Sequence, residues 1–459
     1  MTVSPFDTIA AVSTPYGKGG VAVIRVSGDG AMDIAERVFA PLNGKALSRC
    51  TDRTAVYGLI RDPEDGQVLD DVLCTTFRGP HSFTGEDTVE IACHGGVLVT
   101  RNVLEACLRA GARQALPGEF TRRAFLNGKL DLERAEALGN LLDAGNDEQV
   151  RLARAGMNGL LTDSAESVYT DLMAVLSNME AGMDFPEEDL TEMPREEIRE
   201  AIGAAEAAIR ALVQTYRTGH AIAEGIPTVI CGRPNVGKSA FYNRLVGREA
   251  AIVTSIAGTT RDVLTDTVSL GRVTLRLSDT AGLRDTDDVV EMIGVERARK
   301  ALDEAELVLA LTDSDGEDSE TEELIQAQLR KGKTVVRIYT KQDIRSAIGL
   351  SVDGVPTVRL SSVTGEGFEA LQAIVENVFI DANLRMGEEA VVFSARQAAA
   401  LRETAAYLRT AAENLDAGLP YDICADDIRA AMGEMGALCG REMREDVLTE
   451  IFSRFCVGK

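Results

Sequence analysis

One stretch restricts the architecture of this chain more than any other: Gly232-Arg233-Pro234-Asn235-Val236-Gly237-Lys238-Ser239 fits G-x-x-x-x-G-K-S. It follows the apolar run Val229-Ile230-Cys231 and leads into the helical run Ala240 to Leu245, the strand, loop and helix setting in which the pattern has a mechanism. The glycines let consecutive backbone N–H groups wrap a polyphosphate, and the helix N-terminus adds partial positive charge. Lys238 neutralises the terminal phosphates and the Ser239 hydroxyl can ligate Mg²⁺. Such a loop calls for a mostly parallel sheet covered by helices. The apolar runs Thr228 to Cys231, Val273 to Leu277, Leu307 to Leu311, Thr334 to Tyr339 and Thr357 to Leu360, alternating with helical stretches, predict that sheet.

Four further strings follow in order. Asp279-Thr280-Ala281-Gly282 ends the run Val273 to Leu277, placing a carboxylate and a glycine at the strand's C-terminal edge, where Asp279 would lie near Mg²⁺. Gly258-Thr259-Thr260-Arg261-Asp262 supplies Thr260, a hydroxyl that can complete the metal shell when a γ-phosphate is present, as in a switch loop. Thr340-Lys341-Gln342-Asp343 resembles the guanine-reading N-K-x-D, whose aspartate accepts hydrogen bonds from N1 and N2 of guanine; Asp343 therefore argues for GTP over ATP. The departure is Thr340, where asparagine is usual. Ser361-Ser362-Val363-Thr364-Gly365-Glu366-Gly367 stands where S-A-K-T-G-E-G is common. Leu283 follows Gly282 in place of the glutamine that orients water in many small GTPases, so a replacement must come from elsewhere. The acidic run Arg284 to Glu291 offers carboxylates, and spacing does not choose among them.

A chain of 459 residues is too long for one core and predicts roughly three domains. From Asp7 to Glu119, short β-branched runs such as Gly20 to Val26 alternate with helical stretches such as Val103 to Arg109, as in an α+β domain. From Phe125 to Ala223, Leu161, Ala165, Val168, Leu172 and Leu176 recur at helical spacing, until Gly225-Ile226-Pro227 breaks the run. After Ala382 the strands vanish, and Ala395 to Leu415 and Asp426 to Phe455 read as amphipathic helices. The expected fold is multidomain: an α+β domain at 1–122, a discontinuous α-helical domain at 123–222 and 383–459, and an inserted α/β P-loop domain at 223–382. The two helical stretches should pack together.

Acidic residues outnumber basic ones 73 to 48, a net charge of −25 that repels polyanions; nucleic acid would need a local patch, for which Arg122-Arg123 and Lys129 are candidates. Eight cysteines without a C-x-x-C pair, and three histidines, indicate neither a disulfide framework nor a zinc site; the adjacent Cys93-His94 is expected to be structural. The start, Met1-Thr2-Val3-Ser4-Pro5-Phe6-Asp7, lacks the layout of a signal peptide and no run suits a membrane span, so the cytoplasm is the expected location.

The flanking strings carry a more specific resemblance. Thr14-Pro15-Tyr16-Gly17-Lys18-Gly19-Gly20, Ser82-Phe83-Thr84-Gly85-Glu86-Asp87, Pro117-Gly118-Glu119-Phe120, Phe125-Leu126-Asn127-Gly128-Lys129-Leu130-Asp131-Leu132 and the terminal Cys456-Val457-Gly458-Lys459 are similar to those of the MnmE (TrmE) family of tRNA-modifying GTPases, over nearly the whole chain. The resemblance implies a homodimer joined through N-terminal domains that bind a 5-formyltetrahydrofolate-type folate through Arg25, Glu90, Lys129 and Lys459. It implies GTP contacts from Asn235, Val236, Gly237, Lys238, Ser239 and Ala240, from Thr254-Ser255-Ile256-Ala257-Gly258-Thr259-Thr260, from Asp279-Thr280-Ala281-Gly282, and from Thr340, Lys341, Asp343, Ser361 and Ser362. Mg²⁺ falls to Ser239 and Thr260, and K⁺, in place of an arginine finger, to Asn235, Thr254, Ile256 and Thr259. Glu291 is selected from the acidic run as the residue that positions water, beside Lys238. Further implied are a partner, the FAD protein MnmG (GidA), and attachment of an aminomethyl or carboxymethylaminomethyl group to carbon five of a tRNA wobble uridine. Cys456 matches the family's terminal cysteine, although a tail thiol without a visible base is ordinarily inert. A ribosome-assembly GTPase would carry a basic RNA-binding module, and a membrane-remodelling one a basic lipid-facing helix; the flanking strings favour neither.

Overall fold

The computed structural model describes residues 7–184, 193–248, 265–278, 299–313, 319–344, 354–385, 387–440, 445–453 and 455–458. The chain divides into two compact units, Met1–Gly139 with Cys439–Lys459, and Asn140–Leu438.

In the first unit seven strands form one sheet: β1 (Ile9–Val12), β2 (Val21–Ser27), β3 (Phe39–Pro41), β4 (Ala55–Arg61), β5 (Val68–Phe77), β6 (Thr88–His94) and β7 (Arg113–Gln114), in the order β3-β4-β5-β6-β2-β1-β7. Neighbours are antiparallel except β1 with β7. Alternation along β2 sends Ala22, Ile24 and Val26 inward, where they share a core with Val89 and Ile91 of β6, under α1 (Ala31–Val38) and α2 (Val97–Arg109). Arg25 and Glu90, register partners across β2 and β6, fall on the opposite pleat. On that side Ile9 and Ala11 pack with Phe120 of α3 (Glu119–Leu126).

The C-terminal segment completes this unit. Leu132 and Ala135 in the first turns of α4 (Leu132–Asp143) are buried with Leu448 and Phe452 of α13 (Glu445–Ser453) and with Phe455. Gly118, at φ 64°, permits the approach: a Cβ there would sit 2.2 Å from the Phe452 carbonyl oxygen. Beyond it Val457 bridges to Pro117, and the Ser13 hydroxyl donates to the Gly458 carbonyl at 3.1 Å.

In the second unit α5 (Asp147–Asn158), capped by the Asn146 side chain, α6 (Leu160–Asp184) and α7 (Arg195–Ala223) precede an α/β segment. That segment contains β8 (Ile226–Cys231), α8 (Lys238–Arg248), β9 (Thr265–Leu270), β10 (Val273–Ser278), β11 (Leu307–Thr312), α9 (Ser319–Arg330), β12 (Thr334–Tyr339), β13 (Thr357–Arg359) and α10 (Phe368–Phe379). Its sheet runs β13-β12-β11-β8-β10-β9, parallel except for the β9-β10 hairpin. All six residues of β11 are buried, as a parallel strand covered on both faces requires. Afterwards α11 (Ala395–Asp416), opened by a Ser394/Gln397 capping box, lies along α7, and α12 (Tyr421–Cys439) follows. Arg195 donates to the Leu415 carbonyl at 2.6 Å and Arg199 pairs with Asp416 at 3.0 Å, so the helical stretches on either side of the α/β segment meet.

Candidate functional site

The G-x-x-x-x-G-K-S loop leaves the C-terminal end of β8, whose Val229 and Ile230 anchor it in the core. Gly232 has φ 142°, and a Cβ there would come within 2.2 Å of the Leu311 carbonyl oxygen, so only glycine lets the loop pass β11. Asn235 (φ 64°) and Gly237 (φ 99°) also adopt left-handed backbone, which curls the loop before Lys238, Ser239 and Ala240 open α8. The Lys238 ammonium turns back onto its own loop, donating to the carbonyls of Gly232 (2.8 Å) and Arg233 (2.7 Å). Burial holds its pKa below the ordinary value, against a smaller opposing effect of Cys231.

The base-side loops emerge at the same edge. Thr340, which is 2% exposed, accompanies the loop residue Val236: its Oγ1 lies 2.5 Å from the Val236 carbonyl oxygen and 3.2 Å from that of Thr312. Lys341 has φ 57°, and its Nζ stands 3.6 Å from Asp313. Asp343 accepts the Ser361 hydroxyl at 2.6 Å, and Ser361 Oγ in turn accepts the N–H groups of Val363 and Thr364, each at 3.2 Å; Ser362, half-buried, lies within that turn. The phosphate loop, T-K-Q-D and S-S-V-T-G-E-G thus converge at the C-terminal ends of β8, β12 and β13. Thr254, Ser255, Ile256, Ala257, Gly258, Thr259 and Thr260, Asp279, Thr280, Ala281 and Gly282, and Glu291 lie outside the described residues. The chain enters β9 at Thr265 and leaves β10 at Ser278, and these two are register partners.

The first unit carries a second constellation. Arg25 Nη2 reaches Glu90 Oε1 at 2.8 Å and its Nε the same oxygen at 3.0 Å, with the guanidinium 5.5 Å from the Phe83 ring centre and 5.7 Å from that of Phe120. Lys129 donates to the Pro80 carbonyl at 2.9 Å. Lys459 lies outside the described residues, but Gly458 is fastened at Ser13, two residues beyond Ala11, the register partner of Arg25. Sequence reasoning missed the two phenylalanine rings; Phe83 and Phe120 stood inside quoted motifs, but nothing local tied them to Arg25. Arg123 is corrected as a candidate for contacting nucleic acid: it is 6% exposed, with its guanidinium held by Asp7 (2.7 Å), Glu119 (3.1 Å) and Glu86 (3.2 Å).

Cys93 is buried, and burial raises its thiol pKa, whereas His94 is exposed and bonded through Nδ1 to Asp70 at 2.8 Å, which raises the imidazole pKa. All eight cysteines are free. Among the described residues no helix is long and apolar enough to cross a membrane.

Two family models match the chain: "GTP-binding protein TrmE N-terminus" over residues 8–129 and "MnmE helical domain" over residues 132–456. A "tRNA modification GTPase MnmE" of Symbiobacterium thermophilum is 44% identical over 459 residues, covering 99% of each chain. Proteins with the same name from Acetivibrio thermocellus (39% over 458 residues, 99% of each) and Geobacillus kaustophilus (38% over 463 residues, 100% of each) are similar along their full length. With a phosphate loop and base-side loops gathered at one sheet edge, and relatives matched from end to end, the chain belongs to the MnmE family of tRNA modification GTPases.

Proposed function

We propose that this GTPase turns over GTP in a K⁺-dependent manner and, as a cytoplasmic homodimer working with an FAD-containing MnmG (GidA) partner, adds an aminomethyl or carboxymethylaminomethyl group at C5 of the wobble uridine of certain tRNAs. A 5-formyltetrahydrofolate-type folate is the one-carbon donor. The observation that carries the reading is the joining of residues from distant segments, Arg25, Glu90 and the Gly458 tail, on the first unit, while the phosphate and base loops converge in the second.

At the nucleotide, Lys238 exchanges its two carbonyl partners for terminal phosphate oxygens, and the N–H groups of Val236 to Ala240 hold the remaining oxygens. Asp343, oriented by Ser361, accepts the guanine N1 and N2 hydrogens, and Thr340, Lys341 and Ser362 flank the base. Ser239 and Thr260 would hold Mg²⁺, and Asn235, Thr254, Ile256 and Thr259 would hold K⁺. Hydroxyl, amide and carbonyl oxygens suit both hard cations, and Ser239 opens α8 beside Lys238 where a phosphate-bound ion belongs. Both ions would supply positive charge to the triphosphate. Asp279, Thr280, Ala281 and Gly282 would contribute contacts to the nucleotide, and Glu291 would orient the attacking water.

In the first unit Arg25, Lys129 and Lys459 offer cations to glutamyl carboxylates, while Glu90 accepts from pterin-type N–H donors. The fit is supported by Glu90, whose Oε1 receives the Arg25 guanidinium, and by the rings of Phe83 and Phe120 alongside. The folate, when bound, would supply a one-carbon unit.

Nucleoside mass spectrometry of tRNA from cells lacking the protein tests the function: the C5-modified wobble uridines should disappear, and intact modification overturns the tRNA role. GTP turnover by the purified protein should fall by about tenfold or more when K⁺ is replaced by Na⁺; equal rates would remove K⁺ from the site.

A further inference from the structure

Thr340 occupies the asparagine position of N-K-x-D, and its hydroxyl has fewer donors to share than an amide. Oγ1 lies 2.5 Å from the Val236 carbonyl oxygen and 3.2 Å from the Thr312 carbonyl oxygen. Both neighbours accept, and a hydroxyl has a single proton to give. The main-chain N–H of Thr340 is also engaged, with the Thr312 carbonyl at 2.9 Å. An asparagine amide carries two N–H donors and can hold the phosphate loop with one while offering the other to a ligand. What Thr340 retains toward a ligand is oxygen lone pairs. Guanine presents only acceptors, N7 and O6, on its imidazole side. A lone pair facing N7 gains nothing, so the Thr340 side chain cannot read that edge of the base. Asp343, whose Oδ1 is placed by Ser361, is suited to the opposite edge, where guanine carries its N–H donors.

We propose that this chain leaves guanine N7 unread, and that Thr340 is instead a positioning residue, tying the base loop to the phosphate loop through Val236. The proposal rests on the reading of Asp343 as the guanine contact. The test is equilibrium binding of GDP, 7-deaza-GDP and xanthosine diphosphate to the full-length protein. The two guanine-type ligands should bind within about twofold of each other, because replacing N7 by a C–H removes no hydrogen bond. Thr340→Asn should create a preference for GDP over 7-deaza-GDP of about three- to tenfold, the worth of one hydrogen bond. Thr340→Val should weaken both ligands in parallel, by about tenfold, and Thr340→Ser should restore them. Tenfold weaker binding of 7-deaza-GDP by the natural protein, which needs no variant to fold, would show N7 to be read and overturn the proposal; unchanged binding in Thr340→Val would overturn the positioning role. Failure of the underlying reading looks different: Asp343→Asn would then leave the preference for GDP over xanthosine diphosphate in place.

Discussion

At Lys238 the ammonium group is held by two neutral carbonyls of its own loop, and burial depresses its pKa. Phosphate oxygens bring formal negative charge to the same nitrogen, so nucleotide binding should favour its charged form. Lys238 was legible in the sequence because the chemistry of the loop is carried by eight contiguous residues. Glu291 is the opposite case: spacing left it one carboxylate among several, and family resemblance alone selects it. Glu291→Ala is expected to lower GTP turnover in K⁺ buffer by about a hundredfold or more while leaving GTP affinity within about twofold; unchanged turnover, measured by phosphate release, would return the task to another group. The Arg25–Glu90 pair was legible as two charged strand residues. Its rings were not, because Phe83 and Phe120 reach Arg25 only once three segments far apart in sequence fold together.

Helix α3 is anchored at its first residue by charge. Burial pushes the Glu119 carboxyl pKa up, but the Arg113 guanidinium (2.6 Å), the Leu116 N–H (2.8 Å) and the Arg123 guanidinium outweigh it and hold the group below its ordinary value of 4.5. A carboxyl with a depressed folded-state pKa contributes stability that is present above the unfolded value and is lost as pH falls through the folded one. Glu119→Gln should therefore destabilise the protein by about 2 kcal/mol at pH 7, with the gap from the natural protein closing progressively as pH falls below the ordinary value of 4.5; thermal melts across pH read it, and a gap that persists in acid would assign the loss to packing. Among the strands, five of the six described in the second unit were plain from their apolar runs, β11 above all, because a strand buried on both faces writes a continuous apolar signature, whereas β9, Thr265-Asp266-Thr267-Val268-Ser269-Leu270, has no such run. The short β3 and β7 had no such signature, since Phe39–Pro41 and Arg113–Gln114 are fixed as strands by their neighbours rather than by their composition.

Over the whole molecule, helical periodicity after Ala395 announced helices, which were expected to pack with the earlier helical stretch. α11 meets α7, whereas α13 and the segment after it pack on Leu132, Ala135 and Gly118 in the first unit. This division yields a separation of functions. Deleting residues 457–459 should abolish binding of 5-formyltetrahydrofolate, followed by equilibrium dialysis, while basal GTP turnover stays within about twofold, because the nucleotide loops lie in the other unit. Retained folate binding would remove the tail from the site. The same arrangement bears on synthesis. The first unit takes residues from both sides of Asn140–Leu438, so a ribosome that has finished the seven-stranded sheet must translate that entire span before Phe452 and Phe455 can reach their places. At about 5–20 residues per second that interval lasts on the order of tens of seconds, during which the nascent chain shows an uncovered apolar seat along α4, a natural target for chaperones.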